Sequence, residues 1–395
     1  MKNIETSVAH WSAVFSLFAG VTSLIAAEFI PVSLLTPIAS TLQISEGMAG
    51  QTVTAVGICS VISSLLLVPA TKMFDRRMVL LALSLLLIVS DVLVAMAPNY
   101  FILLIGRGLL GFCVGGFWSM ASAVTIKLVP AKDITRALSI VYAGVSFATI
   151  ISLPLASYLG YFIGWRNVFY ASAILAVFSF IWQIISLPSL PPQKETSFKN
   201  MFGLLKEPWI ALGIAATIFS FAGYHFFFTY LRPFLEHTLA LSATRLSILL
   251  LLFGIANCFG TVVAGIFMKE MYRNTMILVH IILLIFSVMF IVYFENLWLS
   301  QILVILWGFM FGFIPVGWST WIVRTLANKS EMIGGLSVAA IQFSIGMAAA
   351  IGGSIYDHNG IEGVFVSSSF AFLFAIFLMM ISFSLFTRVT GRKLN

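Results

Sequence analysis

Apolar runs recur along the whole chain, separated by short polar breaks. A helix that crosses a bilayer needs about 20 apolar residues, and runs of that kind lie near 11–38, 48–70, 78–97, 101–126, 137–161 and 167–187, then near 209–235, 243–268, 275–294, 297–323, 333–356 and 364–387. The pattern predicts an all-α membrane protein of twelve transmembrane helices, spans one to twelve below. The longest polar interruption, Pro188 to Pro208, follows the sixth run. It predicts a six-helix bundle over 1–187, a cytoplasmic linker over 188–208 and a second bundle over 209–395. The first run is too long for the apolar core of a cleaved signal and no small-residue cleavage site follows it, so it is expected to stay as a helix.

A shift of about 196 to 197 residues lays Gly57-Ile58 on Gly254-Ile255, Arg76 on Arg273, Gly111 on Gly308 and Gly115 on Gly312. The turn at Gly164 falls on Gly360 by the same shift. Each match is weak, but the common offset predicts two pseudo-symmetric six-helix repeats, a transporter architecture with its site near the midplane between the halves.

Composition narrows the function classes. With 61% hydrophobic and 9% charged residues and a mean hydropathy of +1.08, the chain lies outside the soluble range. The net charge of +7 does not point to nucleic acid. Threading twelve spans with the N-terminus inside puts on one face Lys2, Lys72, Arg76, Arg77, Lys127, Lys132, Arg136, Lys194, Lys199, Lys206, Lys269, Arg273, Arg324, Lys329, Arg388, Arg392 and Lys393, which is 17 of the 21 Lys and Arg. The positive-inside rule then predicts both termini in the cytoplasm. Cys59, Cys113 and Cys258 fall inside apolar runs without metal-site spacing and read as buried thiols; no metal or cofactor is expected.

The candidate chemistry is a handful of polar groups inside the spans. Glu28 stands alone in the first run, with no charged residue between Glu5 and Glu46. An ionised carboxylate at that depth costs roughly 2.5–3.5 kcal/mol on insertion scales, so it is expected to be protonated, paired or facing water. It is the candidate proton carrier. On span four, Arg107, Gly111, Gly115, Trp118 and Ser122 share one helical face. The glycines also suit plain close packing, but an intramembrane guanidinium needs partners. Asp91 lies at a similar depth on span three and is expected either to pair with Arg107 statically or to compete with Glu28 for it.

Span seven carries Tyr224, His225, Tyr230 and Arg232 in an aromatic run, and span ten carries Trp318 and Thr320 in Pro315-Val316-Gly317-Trp318-Ser319-Thr320-Trp321. Aromatic planes beside hydroxyls suit stacking of a flat base and hydrogen bonding to a sugar; the competing reading is core filling or an interfacial belt. His225 is a relay candidate or a satisfied core residue. Asn257 and Gln342, near the centres of spans eight and eleven, either bridge helices or read substrate.

These features resemble the major facilitator superfamily, specifically its drug and sugar proton antiporter branch, over the whole chain. The resemblance implies the twelve-helix fold with helices one, four, seven and ten around the cavity. The family's loop between helices two and three usually reads Gly-x-x-x-Asp-Arg-x-Gly-Arg-Arg. Here Val68 stands at the glycine, Lys72 at the aspartate, and Arg76-Arg77 remain. The Arg-x-x-x-Gly signature survives as Arg107 and Gly111 and implies proton coupling, while the helix-five Gly-Pro motif is reduced to Leu153-Pro154 and Ala156. Within the branch, Glu28 to Pro37, Gly115 to Trp118, Phe228 to Pro233 and Pro315 to Ile322 are similar to segments of purine ribonucleoside exporters.

The resulting expectation is a monomeric inner-membrane carrier, surrounded by lipid, that exports purine nucleosides such as inosine against proton entry. Glu28, Arg107, Asp91 and His225 are its coupling candidates. Trp118, Ser122, Tyr224, Tyr230, Arg232, Asn257, Trp318, Thr320 and Gln342 are its substrate candidates. A sugar or multidrug antiporter is the alternative. An intramembrane enzyme or a non-transporting sensor is remote, because no His-Glu-x-x-His, Gly-x-Ser-Gly or phosphate loop is present.

Overall fold

The computed structural model describes residues 9–191, 202–326, 330–392 and 394. Lys2, Lys194, Lys199, Lys329, Lys393 and the middle of the expected linker, 192–201, lie outside the described residues.

Hydrocarbon offers backbone groups no water, so each crossing closes its own hydrogen bonds as a helix. Span one is Trp11–Ser33, continued by Leu35–Leu42. Spans two to six are Glu46–Ala70, Arg76–Ala95, Tyr100–Lys127, Ile134–Ile163 and Trp165–Ser186. Span seven is Pro208–Thr229, followed by Leu231–Pro233 and a π-helical turn, Phe234–Thr238. Spans eight and nine are Ala243–Glu270 and Tyr272–Tyr293, and span ten is split into Leu297–Phe311 and Phe313–Leu326. Among the described residues, 11 helices are long and apolar enough to cross a membrane. The last of them runs through Ser330–Thr390 but reverses at Gly360 (φ 65°, ψ −163°) and supplies spans eleven and twelve, which makes twelve crossings.

The repeat read from sequence recurs in the backbone. Gly164 (φ 80°, ψ 152°) and Gly360 both turn the chain with a positive φ that glycine alone adopts freely. The break in span one at Leu34 (φ −123°, ψ 13°) matches the break in span seven at Tyr230 (φ −103°, ψ 16°). Asn99 caps span four by accepting from the Ile102 amide, and Asn296 caps span ten from the Leu299 amide.

Packing repeats in the same register. Gly111 and Gly115 let span four approach the backbone of span two at Val56 and Ser60, and Gly308 and Gly312 bring span ten onto Phe253 and Asn257 of span eight. Ser60 Oγ donates to the Gly111 carbonyl at 2.9 Å and Asn257 Nδ2 to the Gly308 carbonyl at 3.2 Å. Between the halves, Gly57 of span two meets Gly346 of span eleven, and Gly254 of span eight meets Ile150 of span five. Close approach through small residues is how helices associate where lipid removes the hydrophobic drive.

At the end of the bundle that carries the termini, Asp75 does work not foreseen from the worn loop motif. It accepts from the Arg77 amide as the N-cap of span three, and it also accepts from Ser189 Oγ at 2.5 Å and the Leu190 amide at 2.9 Å. Burial alone would raise its carboxyl; these hydrogen bonds and the Arg77 charge hold it below the ordinary carboxylate range. The loop thus fastens the first residues after span six to span three.

Candidate functional site between the two halves

Pro31 sits inside span one and has no amide hydrogen to give the carbonyl four residues back, that of Ala27. Arg107 fills the gap. Completely buried on span four, it donates through Nη1 to Ala27 O at 2.7 Å and through Nη2 to Glu28 O at 3.2 Å, with Nε 3.5 Å from Thr52 O of span two. The guanidinium therefore staples three helices through backbone carbonyls. Neither Glu28 nor Asp91 forms an ion pair with it in this conformation, although both feel its charge. Asp91 is buried, its oxygens have no hydrogen-bond partner, and it faces Ser172 of span six.

The Glu28 side chain points toward the other half. It is buried beside Gln342 of span eleven. It also lines a cavity of about 10 Å³ together with Phe29, Val32, Val53, His225, Phe228, Thr229 and Ile345. Two coupling candidates from opposite halves, Glu28 and His225, thus share one small chamber, and Gln342 from the substrate set adjoins it.

The aromatic candidates separate. Trp118 is half-buried and stacks on Tyr142 of span five, centroids 5.5 Å apart and planes 27° from parallel. Exposed Ser122 and the Tyr142 hydroxyl lie 3.0 Å apart, so spans four and five together present an indole, a phenol and a hydroxyl. Tyr142 is not legible as a site residue in the sequence, since an aromatic residue on span five carries no local mark of function.

Trp318 is buried edge-on to Trp321, its indole N–H unpartnered. Tyr224 is buried in a stack with Phe228. Tyr230 is buried on Tyr356 and donates to Ala349 O at 2.7 Å. Trp118, Tyr230 and Trp318 do not converge on one clamp in this conformation. Thr320 is half-buried and bonds back to Val316 O, and Asn257 is the interhelical bridge already described.

Arg232 belongs to a seal at the distal end, away from the termini. It is buried, donates to the Ser33 carbonyl of span one, lies 3.5 Å from Ser157 Oγ of span five, and pairs with Glu236 at 2.5 Å. Beside it, Glu46 accepts from Tyr356 at 2.9 Å and pairs with His237 at 2.8 Å. Asp357 from the second half accepts from Ser45 Oγ at 2.6 Å and the Gly47 amide at 2.9 Å, which caps the start of span two in trans. Gln51 Nε2 donates to Ala350 O at 3.2 Å. Among the described residues the hydrogen bonds between the halves gather at this distal end, so the structure is distally closed.

Asp357→Asn is expected to loosen the seal. An exposed charge-assisted contact is worth up to about 1 kcal/mol, so the distally open population should rise by up to about five-fold. Spin labels at exposed Gln43 and Asn359 would show it as a growing long-distance component. An unchanged distance distribution would mean that Asp357 holds nothing shut.

The model of the Major Facilitator Superfamily matches residues 16–334 and 214–394. Two curated relatives, the "purine ribonucleoside efflux pump NepI" of Salmonella paratyphi B and of Salmonella typhi, are each 41% identical over 352 residues, 89% of this chain and 89% of the relative. Among solved structures, the nucleoside transporter NupG superposes with a TM-score of 0.73 at 14% identity over 95% of this chain and 99% of that one. The human organic anion transporter MFSD10 gives 0.68 at 14% identity over 94% and 100%. At that identity the two structures speak for the fold alone. With twelve crossings in two repeats, a distal seal and these matches along its length, the chain belongs to the Major Facilitator Superfamily.

Proposed function

We propose that this transporter exports purine ribonucleosides such as inosine by alternating access, one substrate leaving as one proton enters. The observation that carries the substrate class is the 41% identity, over 89% of both chains, to pumps named for purine ribonucleoside efflux. The likeness extends past the fold, which by itself fixes no substrate. Proton coupling rests on Glu28, isolated in span one and buried where the halves meet.

On this reading the protein sits as a monomer in the inner membrane. Residues 1–187 and 209–395 form the moving bundles, 188–208 the linker, and the basic residues keep both termini in the cytoplasm. The distal seal is then the outer gate, closed in this conformation. Glu28, Arg107, Asp91 and His225 remain the proposed coupling set. Trp118, Ser122, Tyr224, Tyr230, Arg232, Asn257, Trp318, Thr320 and Gln342 remain the proposed substrate set, with Trp118 and Ser122 the best supported because they are accessible together. The family is one of transporters, which supports transport over enzymatic turnover.

One proton falling through 100 mV releases ~2.3 kcal/mol, which at 1.36 kcal/mol per decade sustains a gradient of about fifty-fold for a neutral solute. One-for-one exchange therefore suffices. The test is uptake of labelled inosine into inverted vesicles with and without an imposed proton gradient. Gradient-dependent accumulation is expected; equal uptake in both overturns the coupled reading, and preference for a pentose or a lipophilic cation overturns the nucleoside assignment.

A further inference from the structure

Span seven breaks at Tyr230, and the offset that pairs the turns pairs this break with Leu34 of span one. The same offset lays Gly160 of span five on Tyr356 of span eleven. In the first half Leu34 rests on Gly160, where a Cβ would overlap its side chain. In the second half that place holds two rings, Tyr230 and Tyr356, stacked with centroids 5.1 Å apart and planes 12° from parallel. The two breaks meet at the distal end, since Arg232 donates to the carbonyl of Ser33, the residue before Leu34.

Tyr230 is completely buried and fixed by its own half. Its hydroxyl donates to Ala349 O of span eleven at 2.7 Å, and one face of the ring lies on Tyr356. Gly352 admits its edge, for a Cβ there would come within 3.0 Å of Cε2. A hydrogen bond, a stack and a helix backbone together leave the ring no room to swing aside.

The other half supplies the opposite wall. Gly50 of span two faces the phenol so closely that a Cβ would overlap the hydroxyl oxygen and lie 2.9 Å from Cζ and 3.0 Å from Cε1. Gly353 of span eleven closes the corner, where a Cβ would lie 2.7 Å from the Tyr230 hydroxyl and 2.7 Å from the Gly47 carbonyl. Space, and not φ, calls for glycine at position 50. The residue lies inside the helix Glu46–Ala70, where alanine is the better helix former.

We propose that Tyr230 is the knob and Gly50 the slot of the distal gate, which closes only when the ring of the second half enters the gap left by the missing side chain of the first. The polar contacts of the seal surround this point, with Gln51 on Ala350 O and Asp357 on the Gly47 amide. Exposed polar contacts hold weakly, whereas a packed interior tolerates no overlap. The fit of ring to slot therefore sets how near spans two and eleven come, and makes closure a two-position event. On opening, the slot leaves with the first half while Tyr230 stays on Ala349 and Tyr356. The proposal gives Tyr230 to the gate in the distally closed form, and it depends on neither the substrate nor the coupling ion.

Spin labels at Gln43 and Asn359 on purified, substrate-free protein report the gate. Gly50→Ala should raise the distally open population by about five- to 150-fold, the usual reach of overpacking. Tyr230→Phe alone should keep the wild-type distribution, because the bond to Ala349 lies within the second half in either state. In the Gly50→Ala background it removes the overlapped oxygen and frees the ring, so it should return most of the lost closed fraction. Tyr230→Leu, which copies Leu34, empties the slot and should itself raise the open population, a test that stands even if Gly50→Ala does not fold.

Wild-type distances in both Gly50→Ala and Tyr230→Leu overturn the proposal. So does a Gly50→Ala/Tyr230→Phe protein no more closed than Gly50→Ala. Inosine titration of Tyr230→Phe separates a gate from a substrate contact. Wild-type binding is expected; a clear loss, with the gate unmoved in Gly50→Ala, makes Tyr230 a substrate group and overturns the proposal.

Discussion

Glu28→Gln should abolish proton-driven accumulation of inosine, reducing a gradient of about fifty-fold at 100 mV to none. Glutamine fills the same volume and can donate a hydrogen bond, so the chamber shared with His225 and Thr229 still closes. What it cannot do is release a proton. The variant is expected to bind inosine and exchange it across the membrane down its gradient, while an imposed pH difference no longer changes the direction or extent of uptake. Inverted vesicles loaded with and without the proton gradient measure both quantities on one preparation. Full gradient-driven transport by Glu28→Gln would remove Glu28 from the mechanism and leave Asp91 as the remaining buried carboxyl among the described residues of the first half.

Arg107 shows why part of the site was legible in the sequence and part was not. Its position inside a span demands partners, and the charges the sequence offers are Asp91 and Glu28. The bonds it makes are to the Ala27, Glu28 and Thr52 carbonyls. The signal was present, because Pro31 comes four residues after Ala27 and leaves that carbonyl open, but it is a signal about a missing amide.

The internal repeat was legible for a better reason. A twofold relation constrains many positions at once, and the shared offset reappears in paired turns, caps and glycine contacts. It also explains Asn257, whose counterpart Ser60 makes the equivalent bond to the equivalent glycine carbonyl. The distal seal was not legible. Glu46 and Asp357 sit at span ends, where solvated charges are ordinary, and only the approach of the two halves turns them into reciprocal contacts. The slot at Gly50 was hidden as well, because a glycine inside a span reads as plain close packing, and sequence does not reveal that a tyrosine of the other half fills it.

Trp118→Ala should weaken inosine binding by about five- to 150-fold, since stacking a base on an aromatic face is worth roughly 1–3 kcal/mol. Trp118 is only half-buried and Ser122 beside it is exposed. Trp118 is held against Tyr142 with Ser122 and the phenol hydroxyl at its edge, so a flat base has a plane to lie on and a ribose has hydroxyls within reach. Trp118→Phe should keep much of the affinity, because the plane matters more than the indole N–H. Tyr142→Phe keeps the stack and removes the hydroxyl, so it should cost the nucleoside more than the free base.

Trp318→Ala is the informative companion. Its indole is buried against Trp321 in the distally closed form, so a loss as large as that of Trp118→Ala would mean that span ten turns this side chain to the substrate in another state of the cycle. Binding titrations in detergent on monodisperse protein compare all four variants. Normal binding by Trp118→Ala would make the pair with Tyr142 a packing contact and move the nucleoside site elsewhere in the cavity.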